Sequence, residues 1–149
     1  MDSTAWSEKY RLGIEAVDRQ HRQLFQLIAK LGRLVDVQAS AGEIQAALGQ
    51  FVRWAEIHFA SEAMLLEATG YPGLEAHVKE HAAFLKTLGR NVELAGSRPL
   101  AVTEAKVSAL LTTWLQNHIL AEDKTYLPHV LASLPAQPAA PPDAPGGPA

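Results

Sequence analysis

Four successive segments of this chain carry apolar residues at alternating steps of three and four, and this spacing constrains the fold more than any other feature. It places the apolar side chains on one face of an α-helix, whereas no stretch keeps the period of two that a half-buried strand requires. The sequence therefore predicts an all-α protein, folded as an antiparallel up-down-up-down four-helix bundle behind an N-terminal loop.

Capping motifs, glycine and proline set the boundaries of the two central helices. Ser40 and Glu43 have the spacing of a capping box at the start of the second helix, and Gly70 is a suitable residue to end it. Proline is favourable at the first helical position, so the third helix should run from about Pro72 to Gly96.

The last part of the chain combines a fourth helix with a proline-rich end. The fourth helix should begin near Thr103, Pro128 should lie at a break, and His129, which follows no apolar series, should lie on the surface. Residues 135–149 hold six of the nine prolines and predict a disordered tail. Residues 1–134 then form one domain, since 149 residues bury one substantial core.

Charge and cysteine content exclude several functional classes. A net charge of −3 gives no basic field, so we expect no nucleic-acid partner and no binding to an anionic membrane surface. The absence of cysteine excludes thiolate metal sites and cysteine nucleophiles. The N-terminus lacks the pattern of a signal peptide, and no apolar run approaches the length of a membrane span. We expect a cytoplasmic monomer or weak oligomer.

Ionisable residues replace apolar ones at six positions of the helical seams. They are His21, His58, Glu62, His77, His81 and His118. A single buried histidine is commonly satisfied by a backbone carbonyl, but each of these is costly unless something satisfies it. In an up-down-up-down bundle, all six fall in roughly the same layer, because they lie early in the odd helices and late in the even ones. This convergence predicts a metal site.

Asp123 has two interpretations at this point. It follows His118 by five residues, which places it about 140° away on an ideal helix. It is either a solvated surface acid or a member of the same cluster, and the second requires a π-type bulge between the two residues. The spacing alone leaves both open.

Four segments of the sequence resemble the hemerythrin family, specifically the single-domain bacteriohemerythrins. The segments are DRQHRQLF (18–25), HFASE (58–62), YPGLEAHVKEH (71–81) and WLQNHILAED (114–123), and the resemblance spans about residues 5–130. It implies a four-helix bundle that holds two non-haem irons joined by an oxo or hydroxo bridge. It also implies reversible dioxygen binding for storage, delivery or sensing.

The resemblance assigns seven metal ligands. One iron would be held by His77, His81 and His118, the other by His21 and His58, and both would be bridged by Glu62 and Asp123. Counted against two six-coordinate irons, this set with its bridge leaves one position open, on the iron with two histidines. The resemblance implies that oxygen binds there and is held as a hydroperoxide. The residues predicted to wall the oxygen pocket, which suit the bundle core equally well, are Leu24, Phe59, Trp114, Leu115 and Ile119.

Two other functional classes compete with an oxygen-binding protein. A diiron redox enzyme could act on peroxide or nitric oxide at the same site, but diiron oxidases usually carry Glu-x-x-His pairs on two helices, which this chain lacks. A structural zinc module could use the tail to recruit a protein partner, but five histidines and two carboxylates exceed the needs of one tetrahedral zinc. We therefore expect a binding protein and not an enzyme.

Overall fold

The computed structural model describes residues 5–95 and 100–133, which are helical with no strand in these ranges. A 3₁₀ turn, Glu8–Tyr10, precedes the bundle. The α-helices are α1 (Glu15–Asp36), α2 (Ala41–Ala68), α3 (Leu74–Ala95), α4 (Leu100–Asn117) and α5 (Lys124–Ser133). A π-helical turn, His118–Asp123, joins α4 directly to α5, so that α4, the turn and α5 form one continuous fourth rod.

The four rods close into a bundle. Helix α1 packs against α2 and α4, and α3 packs against the same two helices. The short links after α1 and α2 make consecutive helices antiparallel. This arrangement confirms the predicted all-α four-helix bundle. Among the described residues, no helix combines the length and the apolar composition that crossing a membrane would require.

Both predicted caps of α2 are present. The Ser40 hydroxyl accepts a hydrogen bond from the Glu43 N–H at 3.3 Å, and the Glu43 carboxylate accepts one from the Ser40 N–H at 2.9 Å. Gly70 has a φ of +65°, which costs a glycine little. Its N–H bonds to the Glu67 carbonyl, and the next N–H bonds to the Leu66 carbonyl, as in a Schellman motif.

The helix starts lie near their predicted positions, but one predicted boundary was wrong. Helix α3 begins at Leu74, two residues after Pro72, because Pro72 lies in the turn that follows Gly70. The fourth helix begins at Leu100, three residues before Thr103. Pro128 lies inside α5 and not at a break. Its missing N–H leaves the carbonyl four residues earlier without a helical donor, and that residue, Lys124, is exposed to water.

The interior of the bundle is divided along its axis. One end is filled by apolar side chains, among them Leu31, Leu48, Phe51, Leu88 and Leu111, each at most 2% exposed. Burial of such side chains contributes about 1.5–3 kcal/mol each to the free energy of folding. The other end contains the buried histidines and acids. The proposed tail, residues 135–149, lies outside the described residues.

The N-terminal loop is tied to the start of α1 by a buried acid. The Asp18 carboxylate, 1% exposed, accepts hydrogen bonds from the Leu12 N–H at 2.8 Å and the Gly13 N–H at 3.0 Å. Gly13 has a φ of +87°, a conformation that side chains disfavour. Tyr10, carried by this loop, is buried against Phe25 with ring centroids 4.9 Å apart.

Candidate metal centre

The six ionisable seam residues and Asp123 lie together in one buried layer, each at most 5% exposed. Their candidate ligand atoms form two groups, and within each group all atoms lie within 4.8 Å of one another. The three-histidine group consists of Glu62, His77, His81, His118 and Asp123. The two-histidine group consists of His21, His58, Glu62 and Asp123. The two groups therefore share both carboxylates.

The π-helical turn brings Asp123 into this layer. Its i→i+5 pattern places residues five apart on the same face, which an α-helix does not. Asp123 Oδ1 lies 2.9 Å from His118 Nε2, and Asp123 Oδ2 lies 3.1 Å from His21 Nε2. The spacing left two interpretations of Asp123 open, and in the structure Asp123 is a buried member of the cluster.

The two-histidine group is organised by a hydrogen bond. His21 Nε2 and His58 Nε2 lie 3.1 Å apart, and His58 Nε2 lies 3.3 Å from Glu62 Oε2. On its other edge, His58 Nδ1–H donates to Gln20 Oε1 at 2.7 Å, and the Gln20 amide donates to Ser61 Oγ at 3.3 Å. Since Nδ1 carries the proton, the Nε2 lone pair of His58 points into the cluster.

The three-histidine group is organised by aromatic stacking. His81 Nε2 and His118 Nε2 lie 2.8 Å apart. Phe59 stacks on the His81 ring with centroids 3.8 Å apart, and Trp114 stacks on the His118 ring at 4.4 Å. His77 Nε2 lies 3.5 Å from both Glu62 Oε1 and Asp123 Oδ1. These planar contacts fix the orientation of two of the three imidazoles.

The donor set fits metal ions better than a network of hydrogen bonds. Within the described part of the chain, both oxygens of Glu62, both oxygens of Asp123 and Nε2 of His77 are buried and make no hydrogen bond of suitable geometry, although they lie close to one another and to the other imidazole nitrogens. Such atoms are costly unless something satisfies them. Two nitrogens bound to one metal at about 2.1 Å and at right angles would lie about 3 Å apart. The imidazole pairs, at 3.1 and 2.8 Å, have this separation.

Protonation of the cluster mostly suits ligation. Burial alone would raise the pKa of Glu62, but contacts with His58 and His77 outweigh burial and hold that pKa well below its usual value. Burial lowers the pKa of His81 to about 3, so this imidazole is neutral near pH 7. Burial would also lower the pKa of His118, but Asp123 outweighs it and raises that pKa. His118 would bind a metal only in its neutral form, and its raised pKa opposes that form.

The predicted oxygen-pocket residues differ in their surroundings and in their burial. Leu24, Leu115 and Ile119 are buried in the apolar core, Phe59 is buried against His81, and Trp114 is half-buried. Their role as walls of an oxygen pocket stays a prediction.

Two residues of α5, Tyr126 and His129, make contacts that the sequence analysis did not predict. Tyr126 is fully buried, with its ring centroid 5.6 Å from that of His77. It lies three residues after Asp123, and residues at this spacing share a face of a helix. His129, which was predicted to lie on the surface, is half-buried. Its Nε2 donates to the Thr69 carbonyl at 2.6 Å, because α5 packs against the turn between α2 and α3.

Two further residues were missed by the sequence analysis. Gln20 directly precedes His21, but its partners on α2 become visible only in the folded bundle. Asp18 lies one helical turn before His21, and this spacing could have revealed that it is buried.

Comparison with known proteins identifies the family. The family described as "Hemerythrin HHE cation binding domain" matches residues 12–130. A bacteriohemerythrin of Stenotrophomonas maltophilia is 28% identical over 132 residues, which cover 87% of this chain and 82% of that protein. A myohemerythrin of Riftia pachyptila is 32% identical over 121 residues, which cover 81% and 88%. This chain belongs to the hemerythrin family of HHE cation-binding domains.

Proposed function

We propose that this protein binds dioxygen reversibly at a non-haem diiron centre, for oxygen storage, delivery or sensing. The observation that carries the proposal is the pair of donor groups that share Glu62 and Asp123 in one buried layer. Two ferrous ions held side by side would supply the two electrons that reversible reduction of the bound dioxygen requires. The similarity to bacteriohemerythrins and to a myohemerythrin supports an oxygen-binding protein over a diiron redox enzyme.

The geometry supports a separate set of histidine ligands for each ion. His77, His81 and His118 would hold one ion, and His21 and His58 the other. Each carboxylate would bridge them, since Asp123 directs Oδ1 toward His118 and Oδ2 toward His21. Glu62 likewise lies between the groups, with Oε1 at 3.5 Å from His77 Nε2 and Oε2 at 3.3 Å from His58 Nε2.

The unequal number of histidines gives the two ions different roles. The three-histidine group offers one more protein donor than the two-histidine group, so an ion held there would have one more protein ligand than its neighbour. The ion in the two-histidine group would keep a coordination position for an exchangeable ligand, which distinguishes a reactive metal site from a structural one. We therefore assign oxygen binding to the two-histidine group.

The surrounding side chains would protect this site from water. Leu24, Leu115 and Ile119 offer no hydrogen bonds to water and are each at most 1% exposed. A dry surround slows the arrival of protons and water, both of which would turn reversible binding into oxidation. The chain would thereby favour oxygen release over oxidation of the site.

The test is anaerobic loading with ferrous iron, metal analysis and a cycle of oxygen addition and removal. We expect two irons per chain and a visible charge-transfer band that appears with oxygen and disappears when oxygen is removed. An oxidised spectrum that oxygen removal does not reverse would favour the redox enzyme. A chain that binds one zinc and no iron would favour the structural metal module.

A further inference from the structure

A groove of about 310 Å³ lies on the surface beside the three-histidine group, between α3 and the end of α4. We call it the uptake groove and define it by Glu80 on α3 together with Trp114, Asn117, His118 and Glu122. Neither acid belongs to the donor groups of the cluster. Of the described residues that line the groove, none is a lysine or an arginine.

The inner wall of the uptake groove is a histidine of the cluster itself. His118 is 3% exposed, and its Nδ1 finds no hydrogen-bond partner among the described residues. This atom lies 3.7 Å from Glu80 Oε2. Nε2 of the same ring lies 2.8 Å from His81 Nε2 and 2.9 Å from Asp123 Oδ1. A single imidazole therefore separates the groove from the buried donors.

The two acids give the groove an attraction for divalent cations. The Glu80 side chain is 41% exposed, so an ion in solvent can reach it. Glu122, in the π-helical turn, lines the same groove as Glu80, so the groove contains two acids. Paired carboxylates are oxygen ligands of the type that hard divalent cations prefer.

We propose that the uptake groove is a cation-binding site at which ferrous iron is first captured, by Glu80 and Glu122, before it passes the His118 ring into the cluster. This inference rests on the proposed function, since it assumes that the cluster holds iron. Leu24 and Ile119 are buried and apolar, and a cation would pass such side chains only at a high desolvation cost. The carboxylate oxygens of the groove would lower this cost for a cation that enters past His118.

The experiment compares the rate of iron loading in two double variants. Metal-free protein is mixed anaerobically with ferrous iron, the reaction is stopped with a chelator, and the bound iron is counted over time. Glu80→Gln with Glu122→Gln removes the acids of the groove while keeping their shape. Glu67→Gln with Glu93→Gln is the matched control, since it removes the same charge from two exposed helix positions.

We expect the groove variant to load roughly ten-fold more slowly or worse, since charged clefts raise association rates by about ten-fold to a thousand-fold. It should still reach two irons per chain, and its iron should leave more slowly to excess chelator, because one route serves both directions. The control should load at the rate of the unmodified chain. That rate should fall as salt is added, because salt screens exposed charges.

Three results would overturn the proposal. Equal loading rates in the groove variant and the control would show that the acids take no part in uptake. A loading rate of the unmodified chain that ignores salt would contradict electrostatic capture. Loss of bound iron at equilibrium in Glu80→Gln alone, with Glu122→Gln normal, would mean that Glu80 only orients His118.

Failure of the proposed function can be distinguished from failure of this inference, since the unmodified chain would then never reach two irons. Equal melting temperatures of the variants confirm folding.

Discussion

The three-histidine and two-histidine groups are built from the same bundle but are held in different ways. In the three-histidine group, His81 and His118 lie flat against Phe59 and Trp114. In the two-histidine group, His58 is held at its outer edge by a hydrogen bond to Gln20. Stacking restrains a whole ring, whereas a hydrogen bond sets the tautomer and direction of one nitrogen. One group is thus fixed by packing and the other by polar contacts.

This difference corresponds to the roles that we assign. The group with more protein ligands is also the one enclosed by aromatic rings, which suits an ion whose coordination does not change. The group with fewer ligands is the one whose imidazole is tuned by a neighbouring amide. Both groups depend on the same two carboxylates. Changes to the shared carboxylates should therefore affect both ions, and changes to a residue that belongs to one group only should affect one ion.

The largest effect is expected at a shared carboxylate. Glu62→Ala removes a ligand from both groups and leaves buried imidazoles without their acid, so we expect the bound iron to fall from two per chain to nearly none. Metal analysis after anaerobic loading and desalting measures this. Glu67→Ala, an exposed acid five residues later, is the control and should keep both ions. Retention of both ions by Glu62→Ala would contradict the bridging assignment.

Substitution of a ligand that belongs to one group only should remove iron from that group more than from the other. His77→Ala removes a ligand of the three-histidine group alone, so at least the ion of that group should be lost. His129→Ala should keep both irons and lose about 1 kcal/mol of stability with its hydrogen bond to Thr69. Iron per chain and thermal unfolding separate the two effects. Equal loss of iron from both variants would overturn the division between cluster and surroundings.

A smaller effect is expected from the residue that orients His58. Gln20→Leu removes the acceptor of the His58 Nδ1–H, and loss of such a partner typically weakens metal binding by about 10–100-fold. The weakening should be confined to the two-histidine group, so titration with ferrous iron should show one strong and one weakened step. Gln20→Glu restores an acceptor and should restore binding. Two equally weakened steps would show that the groups are not separately organised.

The smallest effect is the protonation of the metal-free cluster. His118, whose pKa is raised, should be protonated at pH 6.5, whereas His81, with a pKa of about 3, should be neutral. NMR titration of the two rings measures this difference. Loading with iron near this pH should then release the His118 proton, which a pH indicator detects. A protonated His81 at pH 6.5 would contradict the account.

The two shifts act on stability with opposite signs. The raised pKa of His118 stabilises the metal-free fold below pH 6.5, and this contribution is lost as the pH rises through the folded pKa. The depressed pKa of His81 makes the fold lose stability as the pH falls from about 6.5 toward 3, because the unfolded chain takes up a proton that the folded chain refuses. Denaturant unfolding of His118→Gln and His81→Gln across this range would resolve the two contributions.

The helices and the buried layer could be predicted from the sequence because helical periodicity is a local property. His58 and Glu62 follow the same seam as Leu48 and Phe51, so their burial follows from the seam alone. The errors arose where local rules compete with packing. Proline was expected to break helices, yet Pro128 is accommodated in α5, which packs beside the turn between α2 and α3.

Contacts between helices were beyond the reach of the sequence. Asp123 lies five positions after His118, and this spacing fits a surface acid as well as a π-helical ligand. Burial of the carboxylate in the folded bundle decides between the two. The partner of His58 lies on another helix, and no local pattern pairs Gln20 with it. The family resemblance assigned Asp123 but not Gln20.

The most direct test of the central claim is anomalous diffraction at the iron edge from crystals of the protein loaded anaerobically with ferrous iron. We predict two iron peaks in the buried layer, one bonded to His77, His81 and His118 and the other to His21 and His58. Glu62 and Asp123 should each contact both peaks. A single peak, or two peaks that do not share these carboxylates, would contradict the account.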